Sequence, residues 1–202
     1  MIAIIDYGVG NLFSLASSLK MIDAPAVTSS DHDVIRAADK LILPGVGAFA
    51  DAAEKLRSSG LDKVIIDEAN GGKDILGICL GMQLLFEKSC EYGEHRGLGL
   101  LAGSVIPIAS VVPQNYKIPH IGWNALKFKK NSALFRCINE GDCVYFVHSY
   151  FASECSESVV ATAEYGAELT AAVESGNVMG CQFHPEKSGA VGLNILRAFC
   201  GR

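Results

Sequence analysis

The chain has 202 residues, half of them hydrophobic and 19% charged, with a formal net charge of −5. That length suits one domain with a sizeable core and leaves little room for two, and the composition excludes a disordered chain. A negative balance supplies no basic field for a phosphate backbone, so the expected partners are small molecules or proteins and not nucleic acid.

Ile2-Ala3-Ile4-Ile5 reads as a strand ending at Asp6, followed by the loop Tyr7-Gly8-Val9-Gly10 and a helical pattern over about 11–22. A second apolar strand, Leu41-Ile42-Leu43, runs into Pro44-Gly45-Val46-Gly47 and then a helix rich in Ala, Glu and Lys to about Arg57. A third round follows: a helix over 61–70, Gly71-Gly72, a strand over 74–78, Cys79, and a short helix over about 81–87. Strands alternating with helices imply crossover connections and a parallel sheet covered on both faces. The second half reads as successive strands at 144–147, 159–163, 171–173 and 178–183, closed by a helix over about 189–199. The expectation is an α/β fold, an open mixed and mostly parallel sheet with helices on both faces, forming one core. Ligands of such sheets sit beyond the carboxyl ends of the strands, which points to the loops after Ile5, Leu43 and Ile78.

No stretch reaches about 18 uninterrupted apolar residues, and the first residues, MIAIIDYGVGNL, carry no positively charged leader. A soluble, cytoplasmic protein with no membrane partner is expected. The seven cysteines are scattered and lack CxxC spacing, so neither a disulfide framework nor a zinc site is signalled. Most read as small buried hydrophobes.

Cys79 reads differently. In Gly77-Ile78-Cys79-Leu80-Gly81 it stands between two glycines where a strand meets a helix, the setting of a nucleophile elbow. A turn that sharp brings the flanking backbone together, so side chains two residues either side would collide. The following helix aims its first amides at the sulfur, and the Leu80 amide is available to a developing oxyanion. A structural cysteine beside loop glycines fits the same five residues. The second signal is Gln182-Phe183-His184-Pro185-Glu186, where a strand-end histidine is followed across a proline by a carboxylate. Proline stiffens the segment, and a carboxylate on the far ring nitrogen would set tautomer and orientation for a general base.

The two segments together resemble the class I, or triad, glutamine amidotransferases, whose hallmarks are G-x-C-x-G-x-Q, here residues 77–83, and a late F-H-P-E, here 183–186. The resemblance covers nearly the whole chain and implies one glutamine amidotransferase type-1 domain over 1–202, with the flavodoxin-like architecture of that family. It implies Cys79 as nucleophile, His184 as base and acid, and Glu186 as the residue that orients it. Pro44-Gly45-Val46-Gly47 resembles the family's oxyanion loop, so Gly45, Val46 and Leu80 are expected to hold the oxyanion. Gln83, Ser149, Tyr150 and Gly47 fall where the family grips L-glutamine, although the first three also read as ordinary helix or strand-end polar residues.

Within the family, three further segments are informative: residues 6–11 (DYGVGN), 119–124 (PHIGWN) and 147–150 (VHSY). With P-G-V-G in the oxyanion loop, they resemble the glutaminase branch that serves histidine biosynthesis through imidazole glycerol phosphate synthase. That resemblance implies a heterodimer with a (β/α)8 barrel cyclase subunit that receives the ammonia, and it puts Asn11, Trp123, Tyr145 and Lys187 at or near the interface. No cofactor and no metal is expected; His120 and His148 have no carboxylate or cysteine at regular ligand spacing. Cys181 lacks an elbow and reads as packed. The competing readings are another ammonia-channelling glutaminase, such as that of pyridoxal phosphate synthase, and a non-catalytic binding domain on the same fold.

Overall fold

Runs of apolar residues buried on both faces can only be inner strands, and that is what they become in the structure, a computed structural model that describes residues 1–201. The first half alternates strands with helices, two of them between β3 and β4: β1 (Ile2–Ile5), α1 (Leu12–Met21), β2 (Ala26–Ser29), α2 (His32–Ala37), β3 (Lys40–Gly45), α3 (Phe49–Ser59), α4 (Leu61–Asn70), β4 (Asp74–Cys79) and α5 (Leu80–Leu84). Asn11 caps α1, its side chain accepting from the Ser14 amide at 3.3 Å. Gly60, at φ 71°, separates α3 from α4 in the left-handed conformation that suits glycine.

The second half holds β5 (Phe86–Ser89), β6 (His95–Arg96), β7 (Leu101–Pro107), β8 (His120–Ala125), β9 (Lys127–Phe128), β10 (Cys143–His148), β11 (Tyr150–Ser153), β12 (Val159–Glu164), β13 (Glu168–Ser175) and β14 (Val178–Cys181). A 3-10 turn at Pro185–Lys187 leads into α6 (Gly189–Cys200). The main sheet has the order β2-β1-β3-β4-β14-β13-β12-β9. Pairings from β2 to β14 are parallel, and those from β14 to β9 are antiparallel. The parallel part has the doubly wound flavodoxin-like strand order.

Helices α1 and α6 cover one face through Leu15, Leu19, Ile195, Leu196 and Phe199. Helices α2 to α5 cover the other through Ile35, Leu56, Ile65 and Leu84. The expected mixed, mostly parallel sheet is this main sheet; beside it, β11-β7-β5-β6 and β10-β8 form two smaller ones. The expected helix over 81–87 also stops early, at Leu84. The Leu98 amide takes the Leu84 carbonyl at 2.8 Å and the Leu100 amide takes that of Leu85 at 2.8 Å, which turns the chain into β5. The last strand ends at Cys181 rather than Phe183, because the His184 amide leaves the main sheet to donate to the Tyr145 carbonyl on β10, at 2.9 Å.

Candidate active site

Cys79 ends β4 with φ 56° and ψ −113°, a conformation that side chains avoid and that only a tightly determined turn maintains. Glycine determines it. A Cβ on Gly81 would lie 1.8 Å from the Leu43 carbonyl oxygen, and one on Gly77 would lie 2.7 Å from both the Gly81 oxygen and the Met82 amide. The same holds across the gap to β3, where a Cβ on Gly45 would meet the Gly81 amide and the Tyr7 hydroxyl at 2.8 Å. Tyr7 donates to the Pro44 carbonyl at 2.8 Å, tying the loop after β1 to the end of β3. Burial first, and then the Cys79 charge, hold the Tyr7 phenol well above its ordinary range, so it remains a donor.

His184 is buried, and its Nδ1 lies 2.8 Å from Glu186 Oε1. Because a carboxylate only accepts, Nδ1 carries the hydrogen. Nε2 is buried and has no hydrogen-bond partner among the described residues, so it is the nitrogen left for the sulfur. Burial opposes the imidazolium, but Cys79 and Glu186 together outweigh it and raise the His184 pKa to about 9. Ser188 locks the segment, donating to the His184 carbonyl at 2.6 Å and accepting from the Tyr145 amide at 3.0 Å.

A pocket of about 620 Å³ opens over Cys79 and is lined also by Val46, Gly47, Leu80, Gln83, Ser149, Tyr150, His184 and Lys187. Gly45 and Glu186 lie behind it with Asn11 around a far smaller cavity. The residues expected to handle glutamine are thus gathered in one place. Of the four expected at an interface, Trp123 is 58% exposed and packs edge-on to Tyr145 at 6.2 Å, and the Lys187 ammonium stands 5.9 Å from the Tyr145 ring. Asn11 is half-buried and already engaged in its cap.

Three features were not read from the sequence. Gln182 is fully buried, with Nε2 3.7 Å from Cys79 Sγ; its place in Q-F-H-P-E was the available signal. Glu91, which lines the pocket and accepts from the Phe49 amide at 2.5 Å, carried none. His120 and His148 meet across β8 and β10, Nδ1 to Nε2, at 3.1 Å. His148 Nδ1 donates to the Tyr150 carbonyl at 2.9 Å, which leaves its Nε2 as acceptor and makes His120 the donor in the pair. Among the described residues no group of three or more His, Cys, Asp or Glu gathers as a metal site. Cys181 is fully buried, and that burial raises its thiol pKa well above the ordinary value, as expected of a packed cysteine.

A strained strand-to-helix cysteine facing a carboxylate-bound histidine can run acyl transfer through a thioester. Residues 3–200 match the family described as glutamine amidotransferase class-I, and the chain belongs to that family. Two solved structures share the fold: a glutamine amidotransferase at TM-score 0.78 and 18% identity, covering all of both chains, and PurLQS from Thermotoga maritima at 0.74 and 22%, covering 99% of this chain and 97% of that one.

Sequence similarity narrows the class. The chain is 51% identical to the imidazole glycerol phosphate synthase subunit HisH of Bacillus licheniformis, over 98% of this chain and 95% of that one. It is 52% identical to that of Aquifex aeolicus, over 97% and 94%. Within the class it therefore falls among the HisH subunits.

Proposed function

We propose that residues 1–202 act as one glutaminase domain that hydrolyses L-glutamine and passes the ammonia to a cyclase subunit in histidine biosynthesis. One observation carries the assignment of roles: Cys79, at the end of β4, and His184, beyond the end of β14, line one pocket, and Glu186 holds the far nitrogen of His184 behind it. His184 Nε2 takes the proton of Cys79, whose sulfur attacks the side-chain amide carbon. The oxyanion is held by amides of the Gly45–Val46 segment and Leu80, and His184 then protonates the departing ammonia. Water, deprotonated by His184, attacks the thioester; the carbon–sulfur bond breaks and glutamate leaves. Glu186 keeps the imidazole in one tautomer throughout. The positions of Gln83, Ser149, Tyr150 and Gly47 on the pocket wall support contacts with glutamine. Glu91 supplies a carboxylate on the same wall for the substrate ammonium.

The ammonia has to reach its acceptor before it is protonated in bulk water, which favours a partner docked over the pocket. Ile121 and Trp123, each 58% exposed on β8, and Val46, 41% exposed, offer apolar surface near the mouth. With Asn11, Tyr145 and Lys187 they form the surface we assign to a (β/α)8 barrel cyclase. No helix among the described residues is long and apolar enough to cross a membrane, which is compatible with a cytoplasmic site of action. Steady-state glutamine hydrolysis, measured with and without the barrel subunit and its nucleotide, tests the reading. Hydrolysis stimulated by the loaded cyclase is expected; no hydrolysis in either state, or stimulation only by a pyridoxal phosphate synthase partner, would overturn it.

A further inference from the structure

The nucleophile's sulfur has a polar neighbour outside the triad. The Gln182 side chain is buried away from solvent, and its Nε2 lies 3.7 Å from Cys79 Sγ while its Oε1 accepts from Gln83 Nε2 at 3.0 Å. Gln83 Nε2 donates in turn to the Tyr150 carbonyl at 3.1 Å. That carbonyl fixes which way both amides face. It can only accept, so Gln83 must turn its NH2 toward it; the second hydrogen of that NH2 then needs an acceptor, so Gln182 turns its oxygen to Gln83 and its NH2 to the sulfur. The Tyr150 carbonyl also accepts from His148 Nδ1 at 2.9 Å, which fills its remaining lone pair.

We propose that Gln182 is a further catalytic residue, donating its side-chain amide to the Cys79 sulfur, and that Gln83 is the positioning residue that holds it there. The inference rests on Cys79 being the nucleophile. A buried charged sulfur needs donors, and hydrogen bonds to charged groups are the strong ones. His184 gives up and regains its proton during the reaction, whereas a carboxamide keeps its hydrogens. Gln182 therefore favours the charged sulfur both as attacking group and as the group expelled when the thioester is hydrolysed. Gln83, with both amide hydrogens committed within the protein, has only Oε1 left for substrate.

The test is alkylation of the full chain by iodoacetamide across about pH 5 to 10, with the Cys79 adduct quantified by peptide mass mapping. Unmodified chain is compared with Gln182→Met and Gln83→Met, and exposed Cys90 is the internal control. The midpoint for Cys79 should rise by about one pH unit in Gln182→Met and by less in Gln83→Met, with the Cys90 midpoint fixed. In the complex with cyclase, Gln182→Met should lower kcat for glutamine about tenfold and change KM less than about threefold. An unmoved Cys79 midpoint in both variants, or a rise in KM at constant kcat, would overturn the proposal. Should Gln182→Met lose its cooperative melting transition, the Gln83→Met midpoint decides. An unmodified chain that is alkylated at Cys79 but hydrolyses no glutamine counts against the proposed function, and the alkylation midpoints still decide on Gln182.

Discussion

Two buried histidine sites back onto the same pocket and treat a proton in opposite ways. His184, at the elbow, faces a carboxylate and a sulfur, and these outweigh burial to raise its pKa to about 9. His148 and His120, on the β10–β8 pair, have no such partner among the described residues. Burial lowers His148 to about 3, despite its bond to the Tyr150 carbonyl, and lowers His120 to about 4. Phe146 and Tyr165 stack against His120 with ring centroids 4.9 and 4.1 Å away, a setting that supplies no carboxylate to balance an added charge. Burial alone therefore says little about a histidine. The neighbouring charge decides whether it is an acid–base group or a fixed hydrogen-bond link.

The strongest way to break that contrast is to remove the sulfur. Cys79→Ala should lower glutamine hydrolysis at least about 10⁴-fold in the complex, while the partner's ammonia-dependent cyclisation is retained. Loss of both activities would mean that Cys79 serves folding or assembly instead. Glu186→Gln should cost on the order of 10³-fold in kcat, because an amide no longer dictates that the hydrogen sits on Nδ1; a change confined to KM would sink that role.

Next in size is the elbow itself. Gly81→Ala drives a methyl into the Leu43 carbonyl and should cost at least about 3 kcal/mol, read as a lower urea midpoint. The pH dependence of stability then separates the two histidine sites. His184 binds its proton more tightly when folded, so its contribution is complete below about pH 6.5 and is lost as the pH rises through about 9. His148 and His120 bind theirs less tightly when folded, so stability is complete above about pH 6.5 and is lost as the pH falls toward about 4 and then 3. His148→Gln should flatten the acid arm of a Tm–pH curve and leave the alkaline arm in place. An alkaline arm that flattens equally would show that the two sites are not independent.

Legibility in the sequence followed the range of the interactions. The elbow could be read because its causes are local: two glycines four residues apart around Cys79, and His184 two residues from Glu186. The inner strands could be read because they are apolar on both faces. Strand β2 escaped because its four residues alternate half-buried and exposed at a sheet edge. Strands β5 to β9 and β11 escaped because pairing partners far along the chain define them, as when β8 lies along β10 from His120–His148 to Ala125–Cys143. The end of α5 was set by amides of Leu98 and Leu100, which no periodicity around Leu84 reveals. Gln182 belonged to a quoted motif, yet its importance depends on Gln83, 99 positions away.

At φ 56° and ψ −113° the nucleophile occupies a conformation native to glycine, so the residue the chemistry requires is one the fold would rather not have there. Cys79→Gly should melt later than the unmodified chain, by the equivalent of about 1 kcal/mol, while catalysing nothing. The position is then a record of selection for turnover over durability, held in place by the three glycines at 45, 77 and 81 that leave the turn no other shape.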